Sequence, residues 1–256
     1  MQLTDTHTHL YLSDFRDDID KVVGRAIDSG VTKMLLPNID SRTIKNMNKL
    51  AARYKDNVYP MMGVHPGSIR DDFKKELKTV EDELARGHYI AVGETGIDLY
   101  REKKYIKEQL YAFERQLKLA IEFDLPVVIH ARNSFTEIFT SLDKFKNSGL
   151  RGVFHAFTGN IDQARHIINS YNFKLGIGGI VTFKNSGLDS VVGEIDLGHV
   201  VLETDSPFLA PVPFRGKRNE SGYLVYIAGK IAEIKKISQL KVAEVTTRNA
   251  EDIFGI

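Results

Sequence analysis

The chain has 256 residues, 42% of them hydrophobic and 27% charged, and its 35 Lys plus Arg against 34 Asp plus Glu give a formal net charge of +1. That length suits one barrel domain over residues 1–256, and the balanced charge excludes a global basic field that would hold nucleic acid non-specifically. Cysteine is absent, which excludes disulfides, thiolate metal sites and a thiol nucleophile.

The opening residues, Met1-Gln2-Leu3-Thr4-Asp5, show neither a basic nor an apolar leader pattern. No apolar run approaches the roughly 20 residues that cross a bilayer. A cytoplasmic protein without membrane association is expected, and nothing in the sequence calls for an obligatory protein partner.

Short apolar runs then alternate with amphipathic stretches. The first run, residues 2–6, leads into Asp5-Thr6-His7-Thr8-His9. A helical stripe of Ile19, Val22, Val23, Ala26 and Ile27 follows, with Gly30 placed to end the helix. The second run is 31–36. The third, 58–64, closes on Gly63-Val64-His65-Pro66. The fourth, 89–93, is followed by Glu94-Thr95-Gly96-Ile97-Asp98 and then a stripe of Ile106, Leu110, Phe113, Leu117 and Ile121. The fifth, 126–129, ends at His130-Ala131-Arg132, and the sixth, 151–154, at His155-Ala156-Phe157-Thr158-Gly159. The seventh, 173–177, overlaps Gly176-Ile177-Gly178-Gly179. The eighth, 199–202, ends at Glu203-Thr204-Asp205-Ser206-Pro207. A stripe of Leu224, Ile227, Ile231 and Ile234 and a helix around 242–254 complete the pattern. Runs apolar on consecutive positions are strands buried on both faces. Eight such strands alternating with helices predict an α/β fold, a (β/α)8 TIM barrel of the metal-dependent hydrolase type. A doubly wound open sheet is the competitor. The count of eight, and the chemistry at the strand ends, favour the barrel.

Five of the eight histidines (His7, His9, His65, His130 and His155) fall at or just past the ends of these runs. In a barrel those ends converge on one face. The other three, His88, His166 and His199, precede strands or lie on helices and read as structural or solvated. A single histidine at a strand end is ordinarily just a satisfied polar residue. Five together with Glu94 and Asp205 are costly to bury without a cation. His7 and His9, two apart, point to the same side of a strand and can reach one ion. Nitrogen and oxygen donors without sulfur suit Zn2+, Mn2+ or Mg2+. Four histidines plus Glu94 and Asp205 exceed what one ion needs; two divalent ions bridged by Glu94 would use them all, an arrangement suited to phosphoryl displacement.

The segments Asp5-x-His7-x-His9, Gly63-Val64-His65-Pro66, Gly93-Glu94-Thr95-Gly96-Ile97-Asp98, Pro126-Val127-x-x-His130-x-Arg132, His155-x-Phe157-x-Gly159 and Glu203-Thr204-Asp205-x-Pro207 resemble the TatD-type metal-dependent deoxyribonucleases, a branch of the amidohydrolase superfamily. The resemblance runs from Asp5 to Asn249. It implies a two-metal site in which His7, His9, Glu94 and Asp205 hold one ion and Glu94, His130 and His155 the second. His65 and Arg132 match positions lining the substrate cleft. Glu94 stands where many barrel amidohydrolases bridge their ions with a carbamylated lysine. The implied activity is hydrolysis of phosphodiester bonds in DNA at or near single-stranded ends, with Asp205 as general base. A metal-dependent ester or amide hydrolase, such as an acyl-tRNA deacylase, is the alternative, and a non-catalytic nucleic-acid-binding barrel a third reading that the full ligand set disfavours. The family often reads Arg-Gly-x-x-Asn-Glu-Pro after the eighth strand, whereas this chain has Ser221 in place of the proline. Asn219 is expected to cap the next helix. Phe157 and Phe183 are candidates for base stacking, with a core role the stronger expectation for both. The 215–218 loop is a candidate backbone contact, and the glycines at 176–179 are a candidate point of close substrate approach.

Overall fold

A computed structural model of the chain describes residues 1–100 and 103–256. Among the described residues the strands are β1 (Leu3–Asp5), β2 (Val31–Pro37), β3 (Val58–Met61), β4 (Val92–Asp98), β5 (Val127–Arg132), β6 (Gly152–His155), β7 (Lys174–Ile177) and β8 (Val200–Leu202). The helices between and after them are α1 (Ile19–Asp28), α2 (Ile44–Arg53), α3 (Phe73–Leu84), α4 (Ile106–Glu122), α5 (Phe135–Asp143), α6 (Ile161–Tyr171), α7 (Leu188–Glu194), α8 (Leu224–Lys235) and α9 (Gln239–Phe254). No helix among the described residues is long and apolar enough to cross a membrane.

Neighbouring strands pair in parallel and in chain order, β1-β2-β3 and β4-β5-β6-β7-β8. Single bridges join the two sheets at both seams, Met62 with Val92 and Thr8 with Ser206. At the second seam Thr6 N donates to Leu202 O at 3.0 Å and Asp205 N to His7 O at 2.8 Å. The expected TIM-type barrel is therefore the architecture found.

Alternation along β2 shows how the core divides. Met34 and Leu36 pack outward among the helices, whereas Leu35 packs with Met61, Val128, Val153 and Val201. Ala250, Ile253 and Phe254 of α9 complete that inner group, so the barrel is floored by apolar side chains at the end where the strands start. Each fully buried side chain of this size stabilises the fold by about 1.5–3 kcal/mol.

Two sequence expectations need correction. The fourth strand begins at Val92 and runs to Asp98 instead of spanning 89–93. Glu94, Thr95 and Asp98 are buried on it, so hydropathy missed a strand end whose buried residues are polar, Glu94 and Asp98 facing His130. The helical stripes also shift. Ile27 is 40% exposed, because a step of about 100° from Ala26 carries it to the edge of the buried face. On α4, Ile106, Leu110 and Ile121 are only partly buried, while Gln109 and Gln116 are buried. Gln116 Oε1 accepts from Val64 N at 2.8 Å, and Gln109 Oε1 accepts from Asp98 N at 2.9 Å. Their amide nitrogens donate to the carbonyls of the same two residues at 3.3 Å. Each amide thus pairs with the main chain as another strand would, and α4 clamps the ends of β3 and β4.

Candidate metal centre

Strand β1 delivers His7 and His9 to the mouth of the barrel, and Asp5 fixes its exit. The Asp5 carboxylate accepts from Thr204 N at 2.9 Å and from Thr204 Oγ1 at 2.6 Å, tying the ends of β1 and β8 together. Burial pushes its pKa up to about 7, against hydrogen bonds from Ser221, Thr204 and His7 that hold it lower. His7 Nε2 and His9 Nε2 face each other at 3.3 Å. Each lies within 3.2 to 3.9 Å of both Glu94 Oε2 and Asp205 Oδ1. His7 also stacks on His155, with ring centroids 3.4 Å apart. Burial lowers its pKa, as does the charge of His155, with Glu94 pulling the other way.

The tautomer of His9 follows from its neighbours. Tyr11 OH donates to Pro37 O at 2.5 Å and lies 2.9 Å from His9 Nδ1. With its one proton committed, the phenol can only accept from Nδ1–H, so the Nε2 lone pair of neutral His9 points at the carboxylates. His65 has the opposite arrangement. Its Nδ1 accepts from Gly67 N at 2.8 Å, so neutral His65 carries its proton on Nε2, 3.5 Å from Glu94 Oε1. Burial drives its pKa down to about 3, outweighing the attraction of Glu94.

Glu94 sits at the centre. Its Oε2 faces His7 and His9, while its Oε1 lies 2.8 Å from His130 Nδ1 and 3.6 Å from His155 Nε2. Burial alone would raise its carboxyl pKa; the imidazoles of His65, His7 and His155 and the bond to His130 reverse this and hold it well below the usual range. Strand register places His130. It pairs with Gly96, between Glu94 and Asp98, and its Nε2 is 3.2 Å from Asp98 Oδ2. A Cβ on Gly96 would stand 2.0 Å from His130 O, so only glycine lets β5 approach here. Burial pulls the His130 pKa down, but Asp98 and Glu94 raise it overall.

His155 ends β6, with Nδ1 3.0 Å from Glu203 Oε1. Burial opposes its protonation, yet Glu203 and Glu94 lift its pKa to about 10. Asp205 follows β8 at φ 56. Burial would raise its pKa, and His9, His155 and His7 together lower it. Arg132, the last residue of β5, is exposed, with its guanidinium 3.9 Å above the Tyr100 ring. It lines a cavity of about 600 Å³ with Tyr100, Ser134, Gly159, Asn160 and Gln163.

Among the described residues, three sets of ligand atoms come close enough together to hold a cation: His7, His9 and Glu94; His7, His155 and Glu203; and His65, Glu94 and His130. Donors about 2.0–2.2 Å from one ion are themselves about 3–3.5 Å apart, and the contacts around Glu94 fall close to that spacing. A proton cannot satisfy two imidazole nitrogens and two carboxylates converging on one point, whereas a divalent cation can. The residues fit a metal centre.

Sequence reasoning named Glu94, Asp205 and the five histidines, and the fold gathers them at one mouth. It missed Glu203 and Asp98, which stand behind His155 and His130. The available signal was Gly176: a Cβ there would lie 2.2 Å from Glu203 Oε2, so this glycine makes room for a carboxylate, not for substrate. Gly179 likewise gives way to Leu209 O. Asn219 is not a helix cap. It is buried, donates to Thr204 O at 2.8 Å and Phe208 O at 2.7 Å, and accepts from Glu220 N, because two carbonyls beside Asp205 lack other partners there. Phe157 is buried against Phe135, so it belongs to the core and not to the mouth. Phe183 is half-buried under Arg215.

Comparison with known proteins gives the same picture. A family model described as TatD related DNase matches residues 4–255. A metal-dependent hydrolase from Bacillus subtilis, YabD, whose name carries the word uncharacterized, is 36% identical over 255 residues, covering 99% of each chain. The crystal structure of YjjV, a TatD homolog from Escherichia coli K12, superposes with a TM-score of 0.93 at 27% identity, over 99% of this chain and 98% of that one. A TatD family hydrolase from Entamoeba histolytica shares the fold at a TM-score of 0.86 and 20% identity, over 99% and 98% of the two chains. With nearly every residue matched by the family model and a relative aligned along its whole length, the chain belongs to the TatD-related DNase family.

Proposed function

We propose that this metal-dependent hydrolase is a deoxyribonuclease that cleaves phosphodiester bonds at or near single-stranded DNA ends. The observation that carries the reading is the division of Glu94: Oε2 faces His7 and His9, and Oε1 faces His130 and His155. A carboxylate with one oxygen toward each of two donor groups is suited to bridge two ions. His7, His9, Glu94 and Asp205 would hold one, and Glu94, His130 and His155 the other, with Mg2+, Mn2+ or Zn2+ all compatible with these donors.

Divalent ions held there supply Lewis acidity, acidifying a water and neutralising charge that develops on the phosphoryl oxygens. Asp205, kept ionised by the imidazoles around it, takes the proton from the attacking water. One oxygen–phosphorus bond forms, the bond to the leaving sugar oxygen breaks, and that oxygen takes a proton from solvent while Asp205 returns its own proton to solvent. His65 is assigned to the substrate and not to an ion, because the Gly67 N–H occupies its Nδ1 and leaves Nε2–H as a donor to phosphate. Arg132, exposed beside the same mouth, offers a planar donor fork for a second phosphate oxygen. A rigid duplex fits poorly at a barrel mouth ringed by loops, which favours a frayed end as substrate.

The test is a time course with metal-reconstituted protein on end-labelled single strands and on a covalently closed duplex circle. Shortening of the single strands with the circle intact is expected. Prompt linearisation of the circle, or ester cleavage with no nuclease activity on any DNA, overturns the reading.

A further inference from the structure

Residues 206–219, between β8 and α8, contain no acidic residue, three basic ones (Arg215, Lys217 and Arg218) and two phenylalanines, Phe208 and Phe214. The fold pins both ends of this loop beside the metal centre. Asn219 bonds to Thr204 O and Phe208 O through its side chain, and its main-chain N–H donates to Pro207 O at 3.0 Å. The middle is anchored where Val212 N donates to Thr182 Oγ1 at 2.9 Å. A loop held this firmly nevertheless leaves Phe208 50% exposed, Val212 47% and Leu209 39%. The Phe208 ring lies 6.2 Å from that of His9, so the exposed apolar surface adjoins the site. Grouped apolar side chains left in water beside a catalytic mouth are surface available to a ligand.

The cations divide into two kinds. Arg218 forms a two-pronged ion pair with Asp18 at 2.9 and 2.7 Å and is neutralised. Arg215 lies 4.3 Å over the Phe183 ring and Lys217 lies 6.0 Å from the Phe214 ring. Neither has an acidic partner among the described residues. Aromatic rings interleaved with uncompensated cations, and without carboxylates, complement the flat bases and phosphates of an unpaired strand.

We propose that residues 206–219 form an arm that grips single-stranded nucleic acid flanking the scissile bond. Phe208 stacks on the nucleobase nearest the metal centre, and Arg215 and Lys217 contact phosphates farther along the strand. The arm rests on the phosphodiesterase reading and adds to it the means by which a chain of near-zero net charge holds its substrate.

The experiment compares wild type, Phe208→Ala, Phe208→Trp and the double variant Arg215→Ala/Lys217→Ala, all metal-reconstituted. The substrates are an oligothymidylate and bis(4-nitrophenyl) phosphate, a diester too small to reach along the arm. Phe208→Ala should raise the oligothymidylate KM about five- to 150-fold, the loss of one base stack, and Phe208→Trp should restore it. The double variant should flatten the slope of log affinity against log salt by about 1.4, two phosphate contacts at about 0.7 each. In both cases the ratio of oligothymidylate to small-diester kcat/KM falls. Unchanged oligothymidylate KM and salt slope, with the small diester still hydrolysed, overturns the arm and leaves the phosphodiesterase reading standing. A wild type that neither binds nor cleaves oligothymidylate overturns both.

Discussion

Replacing Glu203 by glutamine removes one charge from the metal centre while leaving its packing filled. The Glu203 side chain is buried, with Oε1 accepting the Ala156 N–H at 2.6 Å and standing 3.0 Å from His155 Nδ1. Glutamine keeps an oxygen there for Ala156. It loses the negative charge that favours a proton on Nδ1 and enriches Nε2 as a donor. The approach of Nδ1 to Oε1 is an ion pair, so what glutamine removes is charge, and losing an outer partner of a metal-ligating histidine weakens metal binding about 10- to 100-fold. The expected loss of about 1–1.5 kcal/mol corresponds to roughly tenfold weaker metal binding, the low end for partners behind a ligand. In metal-loaded protein, where the cation has displaced the His155 proton, folding stability should change little. Glu203→Ala, by contrast, also strands the Ala156 N–H, at a cost of about 1–3 kcal/mol of stability. Titrating chelator-stripped protein with Zn2+ or Mn2+ against a fluorescent indicator, alongside thermal melts, separates the two effects. Wild-type metal affinity in Glu203→Gln would refute the electrostatic role, and a wild-type Tm in Glu203→Ala would refute the structural one.

Glu94→Gln should lower metal content and cut the rate by more than about 100-fold, beyond the loss usual for an outer partner; elemental analysis beside turnover checks it, and full metal content at normal rate would remove the bridge. Arg132→Ala should raise KM about 10- to 150-fold, the loss of one charged hydrogen bond of about 1.5–3 kcal/mol, with metal content unchanged. Gly176→Ala forces a Cβ to 2.2 Å from Glu203 Oε2 and should cost about 1–3 kcal/mol of stability, read as a lower midpoint in denaturant. Although burial works against it, Glu203 and Glu94 hold His155 protonated up to about pH 10, so a cation must displace a proton near neutrality. Metal affinity should therefore rise with pH and fall in acid, and binding that is flat across that range would contradict the assignment of His155 as a ligand.

The barrel was legible because its strands are short runs of consecutive apolar residues, and the donors were legible because they stand where those runs stop. What stayed hidden depends on partners far away in the chain. Glu203 acquires its role from Ala156 and His155, 47 and 48 positions earlier. Gln116 reads as a solvated helix position until Val64, 52 positions away, is seen to need its amide. The end of β4 was misplaced for a related reason, since hydropathy records apolar burial and Glu94, Thr95 and Asp98 are buried as polar groups. Asn219 has the residue type of a cap, but its side chain serves two carbonyls of the preceding loop.

The apolar floor made by Ala250, Ile253 and Phe254 has a kinetic consequence. With that end of the barrel stoppered, ions and substrate share the doorway at the opposite end. On the proposed nuclease reading, whatever occupies the doorway would act as a valve on ion exchange: a bound strand or a lingering product would slow both the escape of ions to a chelator and the entry of replacements. Resting protein should thus be stripped quickly by a chelator, and protein saturated with a non-hydrolysable strand slowly, at a pace set by the departure of that strand.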